Sequence, residues 1–278
     1  MAALSERYAR DGYVVIEDAI DAKAIASVRA AAAAIVDDFD IEQNKVVFTT
    51  TDGDRGRDEY FFDSAENVHC FLEEHTLDAD GNLNTPKALA INKIGHALHD
   101  RDPVFNAFCR QPVIGELARS VGFAEPVIQQ SMYIFKQPDI GGEVRWHQDA
   151  SYLRVDEGAG MGMWIALEDA TQKNGCLWMM PGEHTGPLRE LYDVDWNERA
   201  GTLTTLNDEP WQRNGVEPVP CEVSAGSVVL FSDRIPHYSA ANHSSASRHA
   251  MILHLIERDA QWASGNWLQR GTLAPFAI

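Results

Sequence analysis

The sequence predicts a mainly β fold with flanking helices, a jelly-roll barrel, and three observations point to it. From Pro126 onward the chain breaks into short apolar or alternating runs separated by glycine, proline and asparagine, the texture of β-rich architecture. The helix signals lie almost entirely before that point. At 278 residues with 45% apolar content there is ample core for one compact unit. No internal repeat or linker divides the chain, so residues 1–278 read as a single domain, helical over about 1–125 and jelly-roll over about 126–260.

In chain order, Leu4 to Arg10 reads as a short helix and Tyr13 to Ile16 as a strand. Asp21 is the expected N-cap of an alanine-rich helix to about Asp37, because its carboxylate can accept from the first free backbone N–H groups. Lys45 to Thr51 is a candidate strand, and Asp52 to Glu59 is too charged and glycine-rich to be core. A helical turn is expected over Glu66 to Leu72, a turn over Asp78 to Asn82, and a strand over Lys87 to Asn92. Asp102-Pro103 caps and opens another helix. The strands expected beyond are Val127 to Lys136, Glu143 to Asp149, Met161 to Leu167, Cys176 to Met180, Ser227 to Phe231, Tyr238 to Ala241 and Ser247 to Ile256. That number of strands suits a jelly roll, with the polar stretch Leu188 to Asn214 as an insertion over its mouth.

Charge narrows the partners. Lys and Arg number 23 against 42 Asp and Glu, a formal charge of −19 that argues against nucleic acid and against an anionic membrane surface. A small-molecule substrate held by local cations remains open. It also argues against coenzyme A thioesters, whose phosphates need a cationic patch. Cys70, Cys109, Cys176 and Cys221 form no C-x-x-C pair, which suits reduced thiols in a cytoplasm. The first residues have no apolar leader region, and no run approaches the roughly 18 apolar residues of a membrane helix. A cytoplasmic location is therefore expected. Oligomeric state has no signal in the sequence.

The chemistry centres on His147-Gln148-Asp149. In an extended segment successive side chains alternate between faces, so His147 and Asp149 share one while Gln148 takes the other. The best third ligand is His237, after the apolar run Ser227 to Phe231. Two imidazoles and one carboxylate on one side of a metal leave the opposite positions open, the arrangement of non-heme Fe(II) oxygenases. An H-x-D triplet alone arises often by chance. Arg248 adds weight, since a hairpin through Asn242 to Ser245 could bring it onto the strand neighbouring His237, and guanidinium is well shaped to hold a carboxylate. An exposed, solvated arginine is the rival reading there.

Taken together, His147-Gln148-Asp149, Gly175 to His184, His237 and Arg248 resemble the phytanoyl-CoA dioxygenase family of Fe(II)/2-oxoglutarate oxygenases. Ile91 to His99, Gln130 to Pro138, Trp164 to Ala170 and Asn266 to Gln269 extend the likeness over nearly the whole chain. Glu183 departs from it, standing where the family commonly has serine. The resemblance implies a double-stranded β-helix (jelly-roll, cupin-like) fold and Fe(II) on His147, Asp149 and His237. It further implies 2-oxoglutarate as co-substrate, held by Lys93, Met132, Trp164, Ser239 and Arg248, with O2 as oxidant. The implied reaction converts 2-oxoglutarate to succinate and CO2 while a small organic substrate is hydroxylated. A cupin-type metal-dependent hydrolase or isomerase, and a non-catalytic module sensing 2-oxoglutarate, are the alternatives. Of the other histidines, expected to be structural, His254 shares strand parity with Arg248 and is the one expected to line the barrel.

Overall fold

The computed structural model describes residues 2–48, 59–212 and 215–278. The leading part carries α1 (Ala2–Asp11), β1 (Tyr13–Ile16), α2 (Ala22–Asp38), α3 (Glu59–Asp63), β2 (Val68–Leu72) and α4 (Lys87–Ala90). It continues through β3 (Ile91–His96), α5 (Leu98–Arg101), α6 (Pro103–Cys109) and α7 (Pro112–Ser120). The predicted caps are in place. Asp21 Oδ1 accepts from the Lys23 N–H at 2.8 Å, and Asp102 accepts from Val104 and Phe105 ahead of Pro103. Asp21→Ala is expected to destabilise the protein by about 1 kcal/mol, read as a shifted urea midpoint. An unchanged midpoint would deny the cap any energetic role.

Three local expectations differ from the structure. Lys45 to Thr51 does not become a strand over its described residues. Val47 makes a single parallel bridge to Leu72, and residues 49–58, with most of the charged loop, lie outside the described ones. Glu66 to Leu72 is not helical, since Val68 and Phe71 favour the pleated edge beside β3 and the helical turn comes earlier, as α3. Lys87 to Asn92 splits, because Pro86 starts a helical turn whose Leu89 and Ala90 N–H groups donate back to its carbonyl, before the strand opens at Ile91.

The β-rich part holds β4 (Pro126–Ile134), β5 (Val144–His147), β6 (Gly160–Ala166), β7 (Leu177–Met179), β8 (Glu190–Asp195), β9 (Ala200–Thr205) and β10 (Val219–Cys221). It ends with β11 (Val228–Ser232), β12 (His237–Ser239), β13 (Ala250–Glu257) and β14 (Phe276–Ala277). An antiparallel eight-stranded sheet runs β1-β11-β6-β13-β4-β3-β2, with β14 also on β4. A four-stranded sheet, β10-β7-β12-β5, faces it. This is the predicted jelly roll, its sheets antiparallel and not hydrogen-bonded into a closed ring. The polar insertion carries the hairpin β8-β9, whose Tyr192 and Val194 pack with Phe61, Phe62 and Trp267.

Period-two alternation decides what each face of the large sheet meets. Met161, Met163 and Ile165 of β6, with Met251, Leu253 and Leu255 of β13, face the helices and pack with Val28, Phe105 and Ile114. Each such side chain contributes about 1.5–3 kcal/mol by leaving water. The alternate positions, Trp164 on β6 and Ile252 and His254 on β13, turn into the space between the sheets. The four cysteines are free and buried, and no helix among the described residues is long and apolar enough to cross a membrane.

Candidate active site

His147 ends β5 and His237 begins β12, and the two are register partners across the small sheet, their rings 4.1 Å apart between centroids. The strand expected to reach Asp149 stops at His147, and Asp149 opens a tight 3-10 turn. Gln148 keeps an extended backbone, φ −118° and ψ 134°, so Asp149 still points to the side of His147. On the opposite side the buried Gln148 donates to the Arg234 carbonyl at 2.7 Å and accepts from the Arg189 N–H at 3.0 Å, which fixes the turn.

Each ligand-type histidine has its tautomer set by the backbone. His147 Nδ1 donates to the Arg145 carbonyl at 2.8 Å and His237 Nδ1 to the Ile235 carbonyl at 3.0 Å, leaving the Nε2 lone pairs free. Those atoms lie 3.5 and 3.7 Å from Asp149 Oδ1, and the three donors fall within 4.8 Å of one another. Burial and the neighbouring His147 push His237 down to about 4, so it is neutral at neutral pH. Burial alone would raise the Asp149 carboxyl. The imidazoles of His254 and His237, with the hydrogen bond from His254, nevertheless hold it well below the usual carboxylate range. Two imidazole lone pairs and a carboxylate oxygen converging without a proton among them repel one another unless a cation lies between. The donor set therefore fits a divalent transition metal with open positions.

His254 lines the chamber as its parity predicted, and it does more than fill space. Its Nε2 lies 3.0 Å from Asp149 Oδ2 and donates to it, since an ionised carboxylate only accepts. His96 and Gln130 also line the chamber, which no local pattern in their segments indicates. The pairing of β4 with β13 sets Gln130 beside His254 on the inward face, whereas His96, at the end of β3, lines the chamber although its register partner is Ser131 of the opposite face. His249 turns the other way, with Nδ1 2.8 Å from the Tyr133 hydroxyl, and His243 is exposed.

Arg248 is buried, at 2% exposure, but not on the strand neighbouring His237. β12 belongs to the small sheet, and Arg248 precedes β13 of the large one, so the two meet across the gap rather than along a hairpin. Its Nε donates to the Gly175 carbonyl at 3.1 Å and its Nη2 to Ser239 Oγ at 3.3 Å. Among the described residues its Nη1 is buried without a partner. Burial lowers the guanidinium to about 10, which keeps it charged at neutral pH. Its plane centre lies 5.3 Å from the Trp164 ring, and Lys93 Nζ lies 3.9 Å from Met132 Sδ and 3.5 Å from the Phe48 ring centroid. The structure thus brings Lys93, Met132, Trp164, Ser239 and Arg248 to one cavity of about 190 Å³ with His147, Asp149 and His237. A fixed cation with one unmatched donor fits the carboxylate of a small acid.

Known proteins resemble this chain in sequence and in fold. The family described as Phytanoyl-CoA dioxygenase (PhyH) matches residues 8–250. "Phytanoyl-CoA dioxygenase" of Arabidopsis thaliana is 40% identical over 263 residues, covering 94% of this chain and 91% of the relative. "Phytanoyl-CoA dioxygenase domain-containing protein 1" of Mus musculus is 38% identical over 288 residues, covering 99% and 98%. Among solved structures, EctD from S. alaskensis with 2-oxoglutarate and 5-hydroxyectoine superposes with a TM-score of 0.64 at 21% identity, covering 99% of this chain and 82% of that one. The epimerase SnoN from nogalamycin biosynthesis, in complex with Fe3+, alpha ketoglutarate and nogalamycin RO, gives 0.67 at 17% identity, with 98% and 92% covered.

Proposed function

Because the chain belongs to the phytanoyl-CoA dioxygenase family, we propose that it is an Fe(II)- and 2-oxoglutarate-dependent oxygenase acting on a small organic substrate. The observation that carries this reading is the buried, unmatched Nη1 of Arg248 in the same cavity as the His147, Asp149 and His237 donor set. One feature serves a carboxylate and the other a metal, and 2-oxoglutarate needs both. Bound there, ferrous iron and 2-oxoglutarate supply an oxidation in which O2 is consumed, 2-oxoglutarate becomes succinate and CO2, and the second substrate is hydroxylated.

The protein's own residues bind, orient and exclude water. His147, Asp149 and His237 hold the metal from one side, their geometry fixed by the backbone bonds at Arg145 and Ile235. Arg248 takes the co-substrate carboxylate remote from the metal, with Ser239 and Lys93 beside it. Met132 and Trp164 form the wall against which the acid's carbon chain lies. His254 holds Asp149 Oδ2, so that Oδ1 faces the two imidazoles.

Under air, the protein loaded with Fe(II) should release succinate from 2-oxoglutarate, more so when its substrate is added. The absence of any Fe(II)-dependent succinate across a broad substrate panel would sink the oxygenase reading and favour a binding module. In that assay an acyl-CoA should stimulate no more than the matching free acid. Of the cations lining the cavity, Lys136 donates to the Gly142 and Ala240 carbonyls and Arg145 pairs with Glu190, so neither stands ready for phosphates. Stimulation by the thioester alone would overturn that part.

A further inference from the structure

The chamber has a second polar end, away from Arg248. Gln130 on β4 and His254 on β13 are register partners, and His96 on β3 is paired with Ser131, the neighbour of Gln130. Arg248 and His254 are six positions apart, about 20 Å between Cα atoms at about 3.3 Å per residue in a strand. Ligands at the two ends therefore lie side by side rather than in competition. His96, Gln130 and His254 are 1, 4 and 8% exposed, and all three face the chamber.

The hydrogen bonds determine what this end offers. Ser64 Oγ donates to the Phe61 carbonyl at 2.5 Å, so its one hydrogen is committed, and it must accept from His96 Nδ1 at 2.7 Å. Nε2 of His96 then carries a lone pair. Burial, with Lys93 nearby, holds that imidazole well below its ordinary pKa and therefore neutral. Among the described residues neither His96 Nε2 nor the Gln130 amide has a hydrogen-bond partner, and neither is sealed from the chamber. The His254 Nε2–H is already spent on Asp149. The rings of Phe61 and Trp267 flank His96, at 5.9 and 4.9 Å between centroids.

We infer that this end recognises an uncharged substrate carrying a hydroxyl or amide N–H on an apolar body, donated to His96 Nε2 and paired with the Gln130 amide, between Phe61 and Trp267. A buried ionic group needs an opposite charge, and the end wall supplies a neutral amide, an imidazole lone pair and aromatic rings. A neutral donor finds an acceptor and an apolar contact surface together. The inference rests on the oxygenase reading, in which the co-substrate lies toward Arg248 and the metal, on Asp149, lies beside His254.

The test uses three probes sharing one aromatic body, 2-phenylethanol, phenylacetate and 2-phenylethylamine, added to full-length protein loaded with Fe(II) and 2-oxoglutarate without air. Ligand-observed saturation-transfer NMR reads their binding. The alcohol should give the strongest signal, and its affinity should fall at least fivefold in Gln130→Leu and in His96→Phe. In the same samples the iron-to-2-oxoglutarate charge-transfer band should be unchanged. His96 is packed deeply, so if His96→Phe does not fold, the near-isosteric Gln130→Leu decides alone. Equal signals from the three probes, no signal from the alcohol, or an alcohol signal untouched in the folded variants overturns the inference. A missing charge-transfer band in the parent protein would instead refute the oxygenase reading, which keeps the two failures apart.

Discussion

His237→Ala is expected to abolish Fe(II)-dependent succinate formation and to weaken metal binding by more than about a hundredfold, since outer partners of metal ligands alone are worth about 10–100-fold. The fold should survive. The removed imidazole makes one backbone hydrogen bond, to Ile235, and the β12 pairing with β7 runs through main chain. Circular dichroism would confirm the fold, and anaerobic Fe(II) titration would measure the loss. A His237→Ala protein with normal iron-dependent turnover would show that His237 is not the third ligand, and neither His243 nor His249 is placed to replace it. His243 is exposed, and His249 is bonded to Tyr133 on the helix side of the sheet.

Arg248→Ala should weaken 2-oxoglutarate binding by roughly 2–5 kcal/mol, the cost of leaving a buried charge without its partner. Gly175 would still receive the Ser239 hydroxyl at 2.9 Å, so its carbonyl is not stranded by the truncation. Arg248→Lys keeps the charge and loses the fork, and should raise the Michaelis constant for 2-oxoglutarate substantially. Iron affinity without co-substrate should hardly move in either variant. Titrating 2-oxoglutarate into the anaerobic Fe(II) protein, followed by the charge-transfer absorption, separates the two effects. Titration of Arg248→Ala like the parent would leave Lys93 as the anchor.

Much of this site was legible in the sequence because its determinants are local. The H-x-D spacing needs only one extended residue between the two donors, and Gln148 supplies it even though the strand itself ends at His147. Parity along one strand was enough to place His254 in the chamber. What could not be read was which strands lie side by side. Arg248 was expected beside His237, and it is opposite, because the chain crosses between sheets in the loop after Ser239. Gln130 looks like an ordinary strand residue until β4 and β13 are paired, and His96 reaches the chamber from the end of β3, where register alone would turn it away. The errors before Pro126 have another cause, since Val68 and Leu89 sit in short segments where one neighbour, an edge strand or Pro86, outweighs intrinsic preference.

The crossing between sheets also bears on how the protein acquires its site. Asp149 and His254 meet across 105 residues of chain, and Arg248 and Gly175 across 73. Contacts of such separation form late, because the entropy of closing the intervening loop is lost before any pairing compensates. β13 must also be seated between β4 and β6 before its inward side chains face anything. The complete site is therefore expected to assemble late, with metal and co-substrate binding reporting the finished jelly roll rather than nucleating it.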